Sequence, residues 1–234
     1  MRHLRLGLGL LATMCAFAFG AAPALAHEFI SSTTNATHGI SESEQLFKLG
    51  AIKMKCAKTS AKGSVAAGSS QTYTTAIKFS KCLTTAKVGT HTIFLATRFL
   101  TPLTVEYHAN GYVVIPEGSG EVKVNTGKTE EFEKSECHIR WLGQTIPAKA
   151  VKNPEEEFTA ATFSNTAIPK KVSKAFPDGL QHGIEINNAF TGIKYELEGE
   201  PCEEWGKEEG PEGGGGTYFG SFPQFVTGGN LEYL

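Results

Sequence analysis

The chain has 234 residues, with 22 basic against 24 acidic side chains and a formal net charge of −2. That balance lacks the excess of lysine and arginine that neutralising a phosphate backbone requires, so it argues against a nucleic-acid partner. Beyond the first 26 residues no apolar run is long enough to cross a bilayer as a helix, and the remainder can bury one sizeable core or two small ones.

The opening stretch MRHLRLGLGLLATMCAFAFGAAPALA, residues 1–26, reads as a secretory signal peptide. Arg2 and Arg5 form a basic start, Leu6 to Phe19 is almost wholly apolar, and Ala24-Leu25-Ala26 fits the small-x-small cleavage pattern. An uncleaved anchor is the rival reading, and the cleavage site favours the signal peptide. Cys15 follows Met14, where a lipobox needs a small residue, so it belongs to the discarded segment. Cleavage after Ala26 makes His27 the first residue of a chain with net charge −4. The product is expected in the cell envelope or outside the cell.

Residues 27–45 are polar and read as a loosely held arm. Residues 46–234 read as one β-rich domain, with two packed halves meeting near 116–120 as a variant of the same reading. AIKMKC sets Ile52, Met54 and Cys56 on one face and Lys53 and Lys55 on the other. YTTAIKF sets Tyr73, Ile77 and Phe79 together, and HTIFLATRF is a longer strand. TVEYHANGYVVIP predicts a hairpin in which Asn110-Gly111 supplies the two positive-φ residues of a type I′ turn. CHIRWLG and GIEIN are further strands. NPEEEFTAATFSNTAIPKKVSKAFPDG carries a strand near Phe158 to Phe163 and a turn at Pro177-Asp178-Gly179. TGIKYELEG alternates strictly, with Ile193, Tyr195 and Leu197 inward, and 198–216 reads as an acidic, glycine-rich exposed hairpin loop. TYFGSF and NLEYL close the chain. About ten short strands of this kind predict an all-β, antiparallel sandwich or barrel.

Four cysteines remain after the signal peptide, Cys56, Cys82, Cys137 and Cys202. An even number in an exported chain points to disulfides, and no CxxC supports a zinc knuckle or a thioredoxin-type site. Three connectivities are open and sequence alone does not choose. Cys56–Cys82 with Cys137–Cys202 is the favoured pairing, because each bridge then stays within one half of the chain.

Catalytic constellations are sparse. Asp178 is the only aspartate, His182 lies four residues on, and no G-x-S-x-G elbow is present. Glutamates are plentiful, but no pair stands out for glycoside hydrolysis. Glu200, Glu203, Glu204, Glu208 and Glu209 sit among glycines that leave them unorganised as cation ligands. The sharper alternative is His27. A free amino group and an imidazole on one residue, with a second histidine, form the copper-chelating brace of lytic polysaccharide monooxygenases, which this chain resembles in that residue and in its expected fold class. His38, His91, His108, His138 or His182 would supply the second ligand.

FKLGAIKMKC, AIKFSKC, VEYHANGYVVI, ECHIRWLGQTIPAK and IEINNAFTGIKYELEGEPCEEWG…GGTYFGSF together cover about residues 46–225. In these segments the chain resembles a family of exported β-rich proteins with paired cysteines, a domain of unknown function found in many copies in some soil actinobacteria. Two further cysteines frequent in that family are absent. Tyr112 and the Val124-Asn125 region stand in their place, which suits loss of one whole bridge and points to Cys202 as the partner of Cys137. The resemblance implies architecture and export and adds no activity, cofactor or site residue.

In SECHIRW, residues 135–141, a thiol neighbours an imidazole. On a strand, adjacent side chains point to opposite faces. Cys137 is then expected inward with Ile139 and Trp141, and His138 outward with Arg140. The sequence as a whole implies no cofactor and an exported non-catalytic module, binding or structural; it does not identify the partner, for which a cell-wall or extracellular glycan and a protein are the candidates.

Overall fold

The computed structural model describes residues 27–125, 137–147, 149–153, 156–168, 181–199, 202 and 215–234. Residues 1–26 (the expected signal peptide, with Cys15), Asp178 with its turn, and the five glutamates 200, 203, 204, 208 and 209 lie outside the described residues. Among the described residues nineteen strands are formed. In the first half these are β1 (Phe29–Ser31), β2 (Asn35–Ser41), β3 (Gln45–Leu49), β4 (Ile52–Val65), β5 (Gly68–Ser70), β6 (Thr72–Val88), β7 (His91–Thr101), β8 (Leu103–His108) and β9 (Val113–Ile115). The second half supplies β10 (Glu121–Asn125), β11 (Cys137–Trp141), β12 (Gln144–Ile146), β13 (Lys149–Asn153), β14 (Glu156–Thr159) and β15 (Ala161–Ile168). It ends with β16 (Gln181–Ile193), β17 (Tyr195–Glu198), β18 (Gly216–Val226) and β19 (Leu231–Tyr233). The antiparallel all-β expectation holds, with nineteen strands in place of about ten.

Fourteen strands form one sheet whose main path runs β15-β16-β18-β2-β4-β6-β7-β10-β11-β17. β3 bridges β18 and β4, while β8, β9 and β12 branch from β6. Strands on either side of residues 116–120 pair directly, β7 with β10 and both β2 and β3 with β18. The branching follows from the long strands β4 and β6. Their upper ends pair with β2 and β8 and their lower ends with β3 and β7. Inward residues on β4 run Ile52, Met54, Cys56 and then Thr59, Ala61, so the phase slips by one residue near Ala57. β6 slips opposite it, at Lys81, which has φ of 55°. Two slips facing each other keep the register and bend both strands, as an extra residue in each does. Cys56 and Cys82 are direct cross-strand partners at this bend and form a disulfide.

The bent sheet is sandwich-like and closes over one core. Phe47 on β3 stacks on Tyr218 of β18 at 4.5 Å and meets Trp141 of β11 edge-on at 5.8 Å. Phe79 and Phe99 extend this cluster from β6 and β7. A second aromatic group joins Phe29, Tyr73, Phe163 and Tyr233. Aromatic pairs at these separations add to the area they bury.

Two expectations need correction. The segment 27–45 is no loose arm: β1 pairs with β19 and β5, and β2 with β4 and β18. Phe29 is buried, and Glu28 and Leu234 exchange backbone hydrogen bonds. Its polar composition hid this because Ser31, Thr37, Ser41 and Gln45 are themselves buried. The β8–β9 hairpin forms, but its turn is not type I′. Gly111 has φ of 90° while Asn110 keeps a negative φ, and the Gly111 N–H donates to the His108 carbonyl. A turn of this length places the single left-handed residue after the bend, where glycine fits at no steric cost.

Candidate functional site

The Cys137–His138 pair resolves as the strand alternation requires. Cys137 is fully buried and bridged to Cys202, 65 residues away, while His138 lies partly exposed on the other face. Its Nδ1 donates to Glu121 Oε1 at 2.7 Å, and Arg140 spans Glu121 and Glu198 from the same face. The His138 hydrogen bond, aided by the Arg140 charge, holds the Glu121 carboxyl below its ordinary value of 4.5. This is an ion-pair ladder across β10, β11 and β17, with the sulfur on the far side of the sheet. Both favoured disulfides are formed.

Of the histidines weighed as partners for His27, the structure brings His108 to it. Both line a cleft of about 230 Å³ with Gln71, Asn110 and Tyr112. His108 stacks on Tyr112 at 3.7 Å, and its Nε2 lies 2.7 Å from Glu106 Oε1. His38 rests near Phe225, His138 is held by Glu121, and His91 and His182 are exposed on other strands. The His27 ring stacks on Tyr233, and its Nδ1 donates to the Leu234 carbonyl at 3.2 Å. An amino-terminal chelate closes its smallest ring through that same Nδ1, so a brace would exchange this hydrogen bond for a metal bond. Among the described residues no group of three or more His, Cys, Asp and Glu side chains is placed to hold a metal ion.

A second cleft, of about 280 Å³, opens between the upper ends of β4 and β6 and the short strand β5. Ser64, Ser69, Ser70, Thr72 and Thr74 line it above buried Phe29 and Leu231. Ser70 Oγ donates to the Thr72 carbonyl. The Ser64, Ser69 and Thr74 hydroxyls make no hydrogen bond within the described residues, so they are available to a polar ligand. Sequence reading missed this cleft, because its serines and threonines are common residues on an all-β surface and only strand pairing gathers them.

Beneath the cleft lies a buried polar relay. The Tyr73 hydroxyl donates to Gln224 Oε1 at 2.8 Å and meets Thr37 Oγ1 at 2.6 Å, and Gln224 Nε2 reaches Thr75 Oγ1 at 3.4 Å. Two further relays reach β18. The Tyr218 hydroxyl donates to Gln45, which donates to the Ser221 carbonyl; the Tyr107 hydroxyl donates to Asn188, which donates to the Gly220 carbonyl. Burial pushes all three phenols well above the usual tyrosine range. Each relay satisfies polar atoms that would otherwise be desolvated without partners.

No protein-family model matches the chain, and no curated protein or solved structure is significantly similar to it. Two disulfides suit an oxidising compartment. No helix among the described residues is long and apolar enough to cross a membrane.

Proposed function

We propose that the protein is an exported, non-catalytic module of the cell envelope or extracellular space that binds a glycan through the hydroxyl-lined cleft. One observation carries the reading: Ser64, Ser69 and Thr74, whose hydroxyls make no hydrogen bond within the described residues, line a cleft built from paired strands. Sugars present many donors and acceptors at fixed angles, and a cleft that holds its hydroxyls on strands loses little entropy in matching them. The signal peptide and the resemblance to the exported actinobacterial family support the location. Glycan-array binding of the processed protein tests the proposal, with Ser69→Trp as the cleft-filling variant. Selective binding to cell-wall or extracellular glycans, lost in that variant, is expected. Binding that survives a filled cleft refutes the assignment.

A copper enzyme using His27 is the second reading, favoured by the cleft that His27 shares with His108. It requires a mature N-terminus at His27 and tight Cu²⁺ binding that one added N-terminal residue abolishes. Amino-terminal sequencing with metal analysis of the processed protein decides it.

A further inference from the structure

The outward face of β18-β3-β4-β6-β7, at the end of the sheet away from the hydroxyl cleft, combines two features that a purely solvent-facing surface does not favour. The first is charge. Lys48 and Lys53 are direct cross-strand partners, and both are exposed. Like charges placed opposite each other on a strand pair repel. Lys55 is paired with Glu44, whereas Lys48, Lys53 and the nearby Lys87 make no ion pair within the described residues. The second feature is apolar exposure. Phe94 is 69% exposed, Leu83 56% and Phe219 37%.

The register interleaves the two. One row across the sheet reads Thr217, Lys48, Lys53, Thr85, Phe94. The next reads Phe219, Leu46, Lys55, Leu83. Phe94 and Leu83 are diagonal neighbours on adjacent strands, close enough for their side chains to form one patch. A partner that relieves both features must carry negative charge over an apolar layer. An anionic lipid surface does so, since headgroup phosphates neutralise the lysines and the acyl boundary accepts the phenyl and isobutyl groups.

We infer that this face is a peripheral docking site for an anionic lipid bilayer, with Lys48, Lys53 and Lys87 at the headgroups and Phe94 and Leu83 inserted. The inference is independent of the glycan cleft, which lies at the other end of β4 and β6. The test is sedimentation of the processed, oxidised protein with vesicles of equal parts phosphatidylglycerol and phosphatidylcholine. Vesicles of phosphatidylcholine alone and soluble polyglutamate serve as controls. Binding to the anionic vesicles alone, weakening steeply as salt is raised, is expected. Lys48→Ser with Lys53→Ser should weaken it roughly thirtyfold, and Phe94→Ser roughly tenfold. Circular dichroism melts confirm that the variants fold, and the salt titration of the wild type needs no variant. Failure to bind anionic vesicles, equal binding to neutral ones, or indifference to both variants overturns the inference. Binding to polyglutamate that depends on the lysines but not on Phe94 overturns the lipid assignment in favour of an acidic polymer.

Discussion

Replacing Tyr73 by phenylalanine tests whether the buried relay under the cleft holds the sheet together. The ring stays and the packing with Phe29 is kept, so the change is confined to one hydroxyl. That hydroxyl serves Thr37 Oγ1 and Gln224 Oε1, on residues that are fully buried and out of reach of water. A buried polar atom left without a partner costs about 1–3 kcal/mol. Thr37 can rotate its hydroxyl and Gln224 keeps a long contact to Thr75, so the total should be about 2–4 kcal/mol. For a chain of about 200 residues this lowers the melting temperature by roughly 5–15 °C. Urea unfolding of the oxidised protein at neutral pH measures it. The double variant Tyr73→Phe/Gln224→Leu removes both ends of one bond and should recover part of the loss, with a coupling of about 1–3 kcal/mol. A Tyr73→Phe protein within about 0.5 kcal/mol of wild type would refute the claim that the relay is a structural necessity.

Four more outcomes follow from the same geometry. Removing the Cys137–Cys202 bridge should cost more than removing Cys56–Cys82. The sequence separations are 65 and 26 residues, which the chain-entropy model converts to about 4.3 and 3.5 kcal/mol; paired Cys→Ala variants compared in urea check the order. Glu121 has a lowered folded pKa, so its contribution is present above its ordinary value of 4.5 and is lost as pH falls through the folded value. Glu121→Gln should therefore flatten the acid side of the stability profile while leaving cysteine oxidation unchanged. The buried phenols have folded pKa values raised above the ordinary 10.0, so the stability they contribute is lost as pH climbs beyond it. Tyr73, Tyr107 and Tyr218 should ionise only with unfolding, as a late step in the ultraviolet phenolate titration. Gly63→Ala places a methyl group 2.4 Å from the Thr74 carbonyl, a backbone atom in the β4–β6 ladder, and should destabilise by about 3 kcal/mol or more, read as a lower thermal midpoint.

How much of this was legible in the sequence depended on how local the cause was. The strand 137–141 could be read residue by residue, because a period of two needs no knowledge of the partner strand. The same holds for Ile52, Met54 and Cys56 on β4, and for Tyr73, Ile77 and Phe79 on β6, all inward as their alternation requires. The alternation gave no warning of the slips at Ala57 and Lys81, since neither residue marks a bend by type. The polar segment 27–45 misled for a related reason. Gln45 and Thr37 look like surface residues until their partners are known, and those lie on Tyr218, Ser221 and Tyr73.

By itself, then, the sequence determined the antiparallel all-β class and the inward face of each well-patterned strand, because these depend on neighbours one or two residues apart. Tertiary structure alone decided which cysteines are bridged, that His27 and His108 share a cleft, and that Ser64, Ser69 and Thr74 line another. It alone set Lys48 against Lys53 beside Phe94. Each of these pairings is fixed by strand register, which brings together groups tens to nearly two hundred residues apart, and register is a property of the closed sheet as a whole.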